Sequence, residues 1–317
     1  MKNLNWQPNF TKVMLANGII RDHEMTIIDV GAAGGFQPIW QIFGNDLRIL
    51  GFEPNEAQFK NLVQSEKIRY FNVALGRSRE EKQIYLTRWP YSSGTFPPDA
   101  SFMSRFPNGK GMEIVNQDFL QTVDLDSFLT ENGISDIDFI KLDTEGSELE
   151  ILEGAIKTLD KVLAIEVEVA FTAYNIGRPL FSDIDSFMRK NNFSLYDLDT
   201  YRHSRTALPS LEADIFAPTP YGQILWADAL YIKDIIGNVS ARNTLATNQF
   251  KIIKAISLFE LFCHPDSAIE LLETAVNSSL LPEQFRPILD LLVPRSLGRQ
   301  MSLDQYRTIA VALPQPL

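Results

Sequence analysis

Short apolar runs alternate with amphipathic or polar segments along most of the chain. Five runs rich in Ile, Val, Leu and Phe predict parallel strands that are buried on both faces, and two later runs extend the series. The predicted strands are residues 26–30, 47–52, 69–75, 138–142, 162–169, 194–198 and 224–232. Strands that alternate with helices predict an α/β fold with a seven-stranded sheet.

The pattern changes at two places. Residues 76–137 separate the third predicted strand from the fourth, and so long a connection usually has a function, here that of a lid. Later the strand pattern stops, and apolar residues such as Ile252 and Ile256 recur at helical spacing. We therefore expect an α/β domain over residues 1–235 and a helical C-terminal appendage over residues 236–317.

Composition and charge narrow the classes of protein. Hydrophobic residues make up 45% of the chain and charged residues 22%, which is typical of a globular protein. No uncharged apolar run reaches the ~20 residues of a membrane-spanning helix, and the start of the chain lacks the pattern of a secretory signal, so we expect a cytoplasmic protein. The net charge of -11 repels phosphate backbones, so nucleic acid is not an expected partner.

Cysteine and histidine form no disulfide or zinc pattern. The single cysteine, Cys263, follows an apolar stretch and is interpreted as a small buried hydrophobic residue rather than a nucleophile. The three histidines lie far apart in the sequence, so the spacing of a zinc finger is absent.

The strongest local signal is a buried strand that ends in the carboxylate Asp29 and continues into the small residues 31–35. Glycine in such a turn permits positive φ and lets a ligand approach the backbone. The G-x-G-x-x-G spacing of dinucleotide sites is absent, and Asp29 would repel a pyrophosphate. A ligand with positive charge and amine donors fits better, and S-adenosylmethionine is such a ligand.

Two more predicted strands end in polar side chains. Glu53, at the end of the second strand, can hold two ribose hydroxyls. Asn72, at the end of the third strand, can face an adenine edge as both donor and acceptor. The predicted cofactor-binding residues are Asp29, Gly31, Ala32, Gly35, Glu53, Asn72, Val73 and Ala74.

Five segments in this order resemble the FkbM-type methyltransferases. They are residues 29–35 (DVGAAGG), 52–54 (FEP), 72–76 (NVALG), 125–127 (LDS) and 138–146 (DFIKLDTEG). The resemblance implies a Rossmann-like methyltransferase fold with S-adenosylmethionine as methyl donor. It also implies an acceptor hydroxyl on a sugar, glycan or polyketide-like small molecule. One departure is Ala33, where the family usually carries Asn, and the appendage from residue 236 onward lies outside the resemblance.

Acidic residues at the ends of the fourth and fifth predicted strands are the candidates for catalysis. Asp143 ends the fourth strand, where ligands bind in open α/β sheets, and Glu145 follows in the turn. Either side chain can accept the proton of an acceptor hydroxyl. Glu166 lies within the fifth strand, where an unpaired buried carboxylate is costly and implies a role. His203, after the sixth strand, is a further candidate base.

Side chains that stack on sugars or hydrogen-bond to them are candidates for the acceptor side. These residues are Trp89, Tyr91, Glu168, Tyr174 and Arg178.

Two other functions stay open. In a metal-dependent O-methyltransferase, Asp143, Glu145 and Glu168 would hold Mg²⁺, which prefers hard oxygen ligands, although a metal is not the favoured reading. A catalytically silent binding protein of the same fold would recruit partners through its helical appendage, but the acidic residues of the predicted site argue against it. The appendage is expected to serve acceptor recognition or self-association.

Overall fold

A computed structural model describes residues 3–209, 222–295 and 300–312 of the chain. Within these ranges the chain forms two compact units. The first contains residues 26–37 and 48–233, and the second contains residues 2–25, 38–47 and 234–317.

The strands agree closely with the apolar runs of the sequence. They are β1 Met25–Val30, β2 Leu47–Phe52, β3 Ile68–Phe71, β4 Ala74–Leu75, β5 Glu81–Thr87, β6 Ile114–Val123, β7 Phe139–Leu142, β8 Ala164–Ala170, β9 Phe193–His203 and β10 Gln223–Lys233. All residues of β1 and β8 are buried, as expected for interior strands of a sheet that is covered on both faces.

The helices fall between the strands and after the last of them. They are α1 Asn9–Ala16, α2 Glu56–Phe59, α3 Ala100–Met103, α4 Leu125–Glu131, α5 Glu148–Glu153, α6 Ile156–Leu159, α7 Phe181–Lys190, α8 Val239–Leu245, α9 Gln249–Leu261, α10 Pro265–Asn277 and α11 Leu303–Ala312. Among the described residues, no helix is both long enough and apolar enough to span a membrane.

The main sheet of the first unit has seven strands in the order β3-β2-β1-β7-β8-β10-β9. Strands β2 and β3, β1 and β7, and β7 and β8 pair in parallel, whereas β10 runs antiparallel to both β8 and β9. The strand order reverses between β1 and β7, which is where open α/β sheets bind their ligands. The predicted Rossmann-like seven-stranded sheet is confirmed.

The long connection between β3 and β7 is folded rather than irregular. It contains a second sheet in the order β4-β6-β5, in which β5 and β6 pair antiparallel over most of their length. The third predicted strand, residues 69–75, is therefore divided: β3 pairs with β2, whereas β4 pairs with β6.

The second unit is helical and includes the start of the chain. Residues 251–261 of α9 are all buried. The carboxylate of Glu260 accepts hydrogen bonds from the backbone N–H groups of Phe10 and Thr11, both at 2.9 Å, and so caps the N-terminus of α1. The unit thus differs from the expected appendage over residues 236–317, because earlier segments of the chain complete its core.

The interpretation of Cys263 as a buried residue was wrong. Its side chain is exposed, and its φ of 61° places it in the left-handed region directly after the end of α9. The apolar stretch that precedes it is buried, but the chain turns out of the core at this residue.

Candidate active site

A cavity of about 1010 Å³ opens in the first unit at the carboxyl ends of β1, β2, β7 and β8. Its volume lies at the top of the range of roughly 300–1,000 Å³ that is usual for small-molecule sites. The cavity can therefore hold two molecules side by side. Its position at the reversal of strand order agrees with the general rule for open sheets.

The turn after β1 packs directly against the end of β7. Gly31 has a φ of +80°, and a Cβ atom at this position would lie 1.9 Å from the carbonyl oxygen of Asp143. Only glycine fits there. Of the predicted cofactor-binding residues in this turn, Gly31 and Gly35 line the cavity, but Ala32 does not, because its buried methyl group points toward Gly51 of β2.

Asp29 is the second-last residue of β1 and lines the cavity. Its carboxylate is 4% exposed, and its Oδ1 has no hydrogen-bond partner among the described residues. The nearest cation is Lys141 Nζ, at 3.9 Å from Oδ1. Burial raises the pKa of Asp29 to about 7, although Lys141 acts in the opposite direction.

Glu53 follows β2 and also lines the cavity. It is 5% exposed and accepts a hydrogen bond from the backbone N–H of Asn55 at 2.8 Å. Burial raises its pKa, whereas the backbone N–H groups of Asn55 and Ala33 lower it. The carboxylate is thereby fixed at the strand end with hydrogen-bonding capacity left for a ligand.

Asn72, predicted to face an adenine edge, is held by the loop after β2. Its side-chain amide donates to the backbone carbonyl oxygens of Glu53 and Pro54, both at 2.9 Å, and it does not line the cavity. Asn72 therefore fixes the loop that carries Glu53. The two residues after it, Val73 and Ala74, do line the cavity.

Asp143 follows β7 and is held by a lysine that the sequence analysis did not single out. Lys141 Nζ lies 3.0 Å from Asp143 Oδ2, and both residues line the cavity. Burial raises the pKa of Asp143, but the Lys141 ammonium, the hydrogen bond with Glu168 and the Arg178 guanidinium together outweigh it, and the pKa is lowered. The period of two along a strand puts both side chains on one face, so the sequence did contain this signal.

Three carboxylates lie together at this end of the sheet. Asp143, Glu145 and Glu168 each offer one oxygen, and these oxygens all lie within 4.8 Å of one another. Burial, together with the Glu168 carboxylate, holds the pKa of Glu145 well above its usual range. Burial also raises the pKa of Glu168 to about 8, against the opposing effect of Arg178. Asp143 is thus the member of the cluster that most readily carries a negative charge.

Arg178, a predicted acceptor-side residue, lies behind the cavity wall. Its guanidinium is buried in an ion pair with Glu168, donates to the hydroxyl of Tyr174 and lies 3.7 Å from Glu148. It does not line the cavity, whereas Tyr174 and Glu168 do. Arg178 therefore positions Glu168 from behind.

Glu166, a candidate catalytic residue, lies within β8. It is buried, accepts a hydrogen bond from Gln37 Nε2 at 2.9 Å and does not line the cavity. Burial raises its pKa. Gln37, a lining residue that the sequence analysis missed, separates it from the cavity.

His203, at the end of β9, lines the cavity as a candidate base should. Its Nε2 is buried and has no hydrogen-bond partner within the described ranges. Burial lowers the pKa of His203, so the imidazole is neutral at neutral pH. A neutral imidazole can accept a proton.

Aromatic and apolar side chains form a further part of the wall. Trp89 and Tyr91 line the cavity, and their ring centroids are 5.6 Å apart. The wall also includes Met103, Phe106, Met112, Tyr174 and Leu225, which belong to a small buried cluster. Most of this cluster was not predicted, because its members come from distant segments.

The comparisons with known proteins give one family and several distant structures. Residues 29–195 match the Methyltransferase FkbM domain. No curated protein matches the sequence significantly. Similar solved structures include magnesium protoporphyrin IX methyltransferase (ChlM) from Synechocystis PCC 6803, with 8% identity, 72% of this chain and 80% of that chain covered and a TM-score of 0.33. TrmK of M. capricolum is 9% identical, and the match covers 85% of this chain and 90% of that chain with a TM-score of 0.33. StiE O-MT residues 961–1257 are 10% identical, and the match covers 78% of this chain and 80% of that chain with a TM-score of 0.35.

TM-scores of this size carry no argument about function. The domain match is different in kind, because it covers more than half of the chain and includes the strand ends that surround the cavity. The chain belongs to the FkbM methyltransferase family.

Proposed function

We propose that this methyltransferase moves the methyl group of S-adenosylmethionine to a hydroxyl oxygen of a small molecule, either a sugar or glycan or a polyketide-like metabolite. One observation carries the proposal: Asp29, Glu53 and Asp143, from three strand ends, face one cavity that is large enough for a donor and an acceptor. Family membership supports the same reaction.

The donor half of the cavity fits S-adenosylmethionine, which supplies an electrophilic methyl group when bound. Glu53 accepts hydrogen bonds from the two ribose hydroxyls, as a strand-end carboxylate does in related nucleotide sites. Asp29, with its unpartnered Oδ1, attracts the positive charge and amine donors of the ligand. The backbone at Gly31 lies open to close approach.

The acceptor hydroxyl donates a hydrogen bond to Asp143, which Lys141 keeps ionised. Asp143 orients the hydroxyl oxygen and takes up its proton as the oxygen loses it. Glu168 is paired with the guanidinium of Arg178, so it adds little net negative charge beside Asp143. His203 is a second site for the proton, because its imidazole is neutral. Much of the rate enhancement then comes from alignment of the two substrates.

The experiment that tests the proposal is a methyl-transfer assay. Radiolabelled S-adenosylmethionine is incubated with a panel of sugars, glycosides and polyketide-like alcohols, and products are identified by mass spectrometry. Formation of a methyl ether on one class supports the proposal. A product methylated on nitrogen or carbon would exclude the oxygen acceptor, and binding of S-adenosylhomocysteine without transfer to any acceptor would favour a silent binding protein.

The second candidate function is a metal-dependent O-methyltransferase. The oxygens of Asp143, Glu145 and Glu168 lie within 4.8 Å of one another, and Mg²⁺ prefers such ligands. Arg178 already neutralises Glu168, so the favoured reaction uses no metal. We expect transfer to continue after exhaustive chelation with EDTA. Complete loss of transfer, restored by Mg²⁺ alone, would establish the metal enzyme instead.

Glu53→Ala is expected to weaken S-adenosylhomocysteine binding at least ~10-fold, because each hydrogen bond to a charged group contributes roughly 1.5–3 kcal/mol. Isothermal titration calorimetry measures the affinity. Glu53→Gln should lose less, since its amide oxygen still accepts from Asn55. The exposed Glu66→Gln is the control and should bind as the wild type does. Unchanged affinity in Glu53→Ala would refute the assignment of the ribose to Glu53.

The affinity for S-adenosylhomocysteine should rise as the pH increases through about 7, the pKa of Asp29. Below that pH the carboxyl group is protonated and neutral; above it the carboxylate attracts the ammonium group of the ligand. The limiting slope is about tenfold in affinity for each pH unit. Calorimetry at a series of pH values measures it. Asp29→Asn should remove this slope, and a slope that persists in the variant would assign the titration to another group.

A further inference from the structure

Two arginines beside the cavity have no carboxylate partner among the described residues. They are Arg105, which is exposed, and Arg205, which is half-buried. Seven other arginines pair with carboxylates, whereas Arg21, Arg48, Arg69, Arg202 and Arg242 also have no carboxylate partner within the described ranges. The paired ones are Arg77, Arg79, Arg88, Arg178, Arg189, Arg286 and Arg307. Arg105 and Arg205 differ from the other unpaired arginines in lying close enough for the charge of Arg105 to act on Arg205.

Both guanidinium groups lie over phenylalanine rings. Arg205 Cζ is 4.3 Å from the ring centroid of Phe106 and 5.4 Å from that of Phe102. Arg105 Cζ is 5.9 Å from the centroid of Phe102. The backbone N–H of Thr206 donates to the carbonyl oxygen of Arg105 at 2.9 Å. The two side chains therefore converge on one ring from adjoining segments.

The head group of Arg205 is fixed but incompletely satisfied. Its Nη2 donates to Gln223 Oε1, and Gln223 Nε2 in turn donates to Thr172 Oγ1 at 3.0 Å. Its Nη1 is buried and has no hydrogen-bond partner within the described ranges. Burial and the charge of Arg105 lower the pKa of Arg205. A buried donor without an acceptor is costly, and a ligand oxygen would remove that cost.

The arginines adjoin the acceptor half of the cavity without lining it. Phe106, whose ring is under Arg205, is part of the cavity wall, and so is His203, two residues before Arg205. The carboxylates Asp143 and Glu145 also line this cavity. They would repel an anionic group on the acceptor, whereas the two arginines would attract it.

We propose that Arg105 and Arg205 form an oxyanion subsite that holds a phosphate or carboxylate group of the acceptor beside Phe106. The guanidinium fork matches the geometry of both groups, and its hydrogen bonds to them are charge-assisted. The oxyanion belongs to the acceptor only if the proposed methyl transfer is correct. The subsite then holds the acceptor by its anionic end, away from the carboxylates near the transferred methyl group.

The test uses inorganic phosphate as probe and follows the side-chain Nε–Hε resonances of the arginines by NMR at constant ionic strength. Saturable shifts are expected for Arg105 and Arg205. Arg205→Gln and Arg105→Gln should each weaken phosphate binding about tenfold or more. Arg69→Gln is the matched control, because Arg69 also lies over a phenylalanine ring, at 5.0 Å from the centroid of Phe71. It should leave phosphate binding unchanged.

The outcomes separate the subsite from the proposed function. Absence of saturable phosphate and acetate binding, or equal binding in Arg205→Gln and the wild type, would overturn the subsite, as would an equal loss in Arg69→Gln. Replacing phosphate by acetate shows which oxyanion the subsite prefers. All variants should bind S-adenosylhomocysteine equally. If the wild type does not bind that ligand, the proposed function fails, and the phosphate titration still decides the subsite.

Discussion

Gly31→Ala is expected to abolish measurable binding of S-adenosylhomocysteine. The added methyl group would lie 1.9 Å from the carbonyl oxygen of Asp143 and 2.9 Å from its carbonyl carbon. Such a contact forces the turn after β1 away from the end of β7 and breaks the hydrogen bond from Asp143 N to Val30 O, which is 3.1 Å long. The donor half of the cavity lies between these two segments. Calorimetry and the thermal unfolding midpoint measure the result.

Gly34→Ala is the matched control for this substitution. Gly34 has a φ of +83°, nearly that of Gly31, but nothing lies within 4 Å of a Cβ atom built on it. Both variants therefore carry a similar backbone penalty, roughly 1–2 kcal/mol for a left-handed residue. The difference between them measures the contact with Asp143 alone. Equal ligand affinity in the two variants would show that the packing of the turn against β7 is not required for binding.

The cofactor side of the site could be predicted because strand ends meet at one edge of a parallel sheet. Asp29, Glu53 and Asp143 each follow an apolar run, and the runs alone place them at the same edge. The direction of each side chain was harder to predict. Asn72 follows a strand in the same way, yet its amide turns back to the carbonyl groups of the β2 loop.

The acceptor side depends on contacts between segments far apart in the chain. Arg178 pairs with Glu168 because residues 171–180 fold back on β8, and no periodicity in the sequence indicates this. Glu166 and Glu168 lie on the same face of β8, as the period of two predicts. Gln37 donates a hydrogen bond to Glu166, however, and only Glu168 lines the cavity. Single-sequence patterns determine which residues share a face; tertiary packing determines which of them reach a ligand.

The helical unit shows the same limit. Its helices α9 and α10 agree with the apolar spacing in the sequence. The participation of α1, however, depends on Glu260, which caps a helix that lies 249–250 positions earlier. A buried carboxylate within an apolar helix gives a sign that some polar group lies nearby, but it does not indicate which one. Self-association through this unit stays a prediction.

Asp143→Asn is expected to lower kcat by ~10² or more, with little change in S-adenosylhomocysteine affinity. The substitution keeps the shape of the side chain and removes the one carboxylate of the cluster that Lys141 holds ionised. It also removes a charge that raises the pKa of Asp29, so ligand affinity should not fall. Initial rates with the acceptor found in the panel measure kcat, and calorimetry measures the affinity.

Glu145→Gln is the comparison, because Glu145 belongs to the same cluster, but burial and the Glu168 carboxylate hold its pKa well above its usual range, so it ionises less readily than Asp143. Replacing it by an amide therefore removes less negative charge, and kcat should fall less than in Asp143→Asn. A larger loss in Glu145→Gln than in Asp143→Asn would move the proton acceptor to Glu145. A wild-type rate in Asp143→Asn would leave Asp143 as a structural strand end, and His203 would then be the remaining candidate base at the cavity wall.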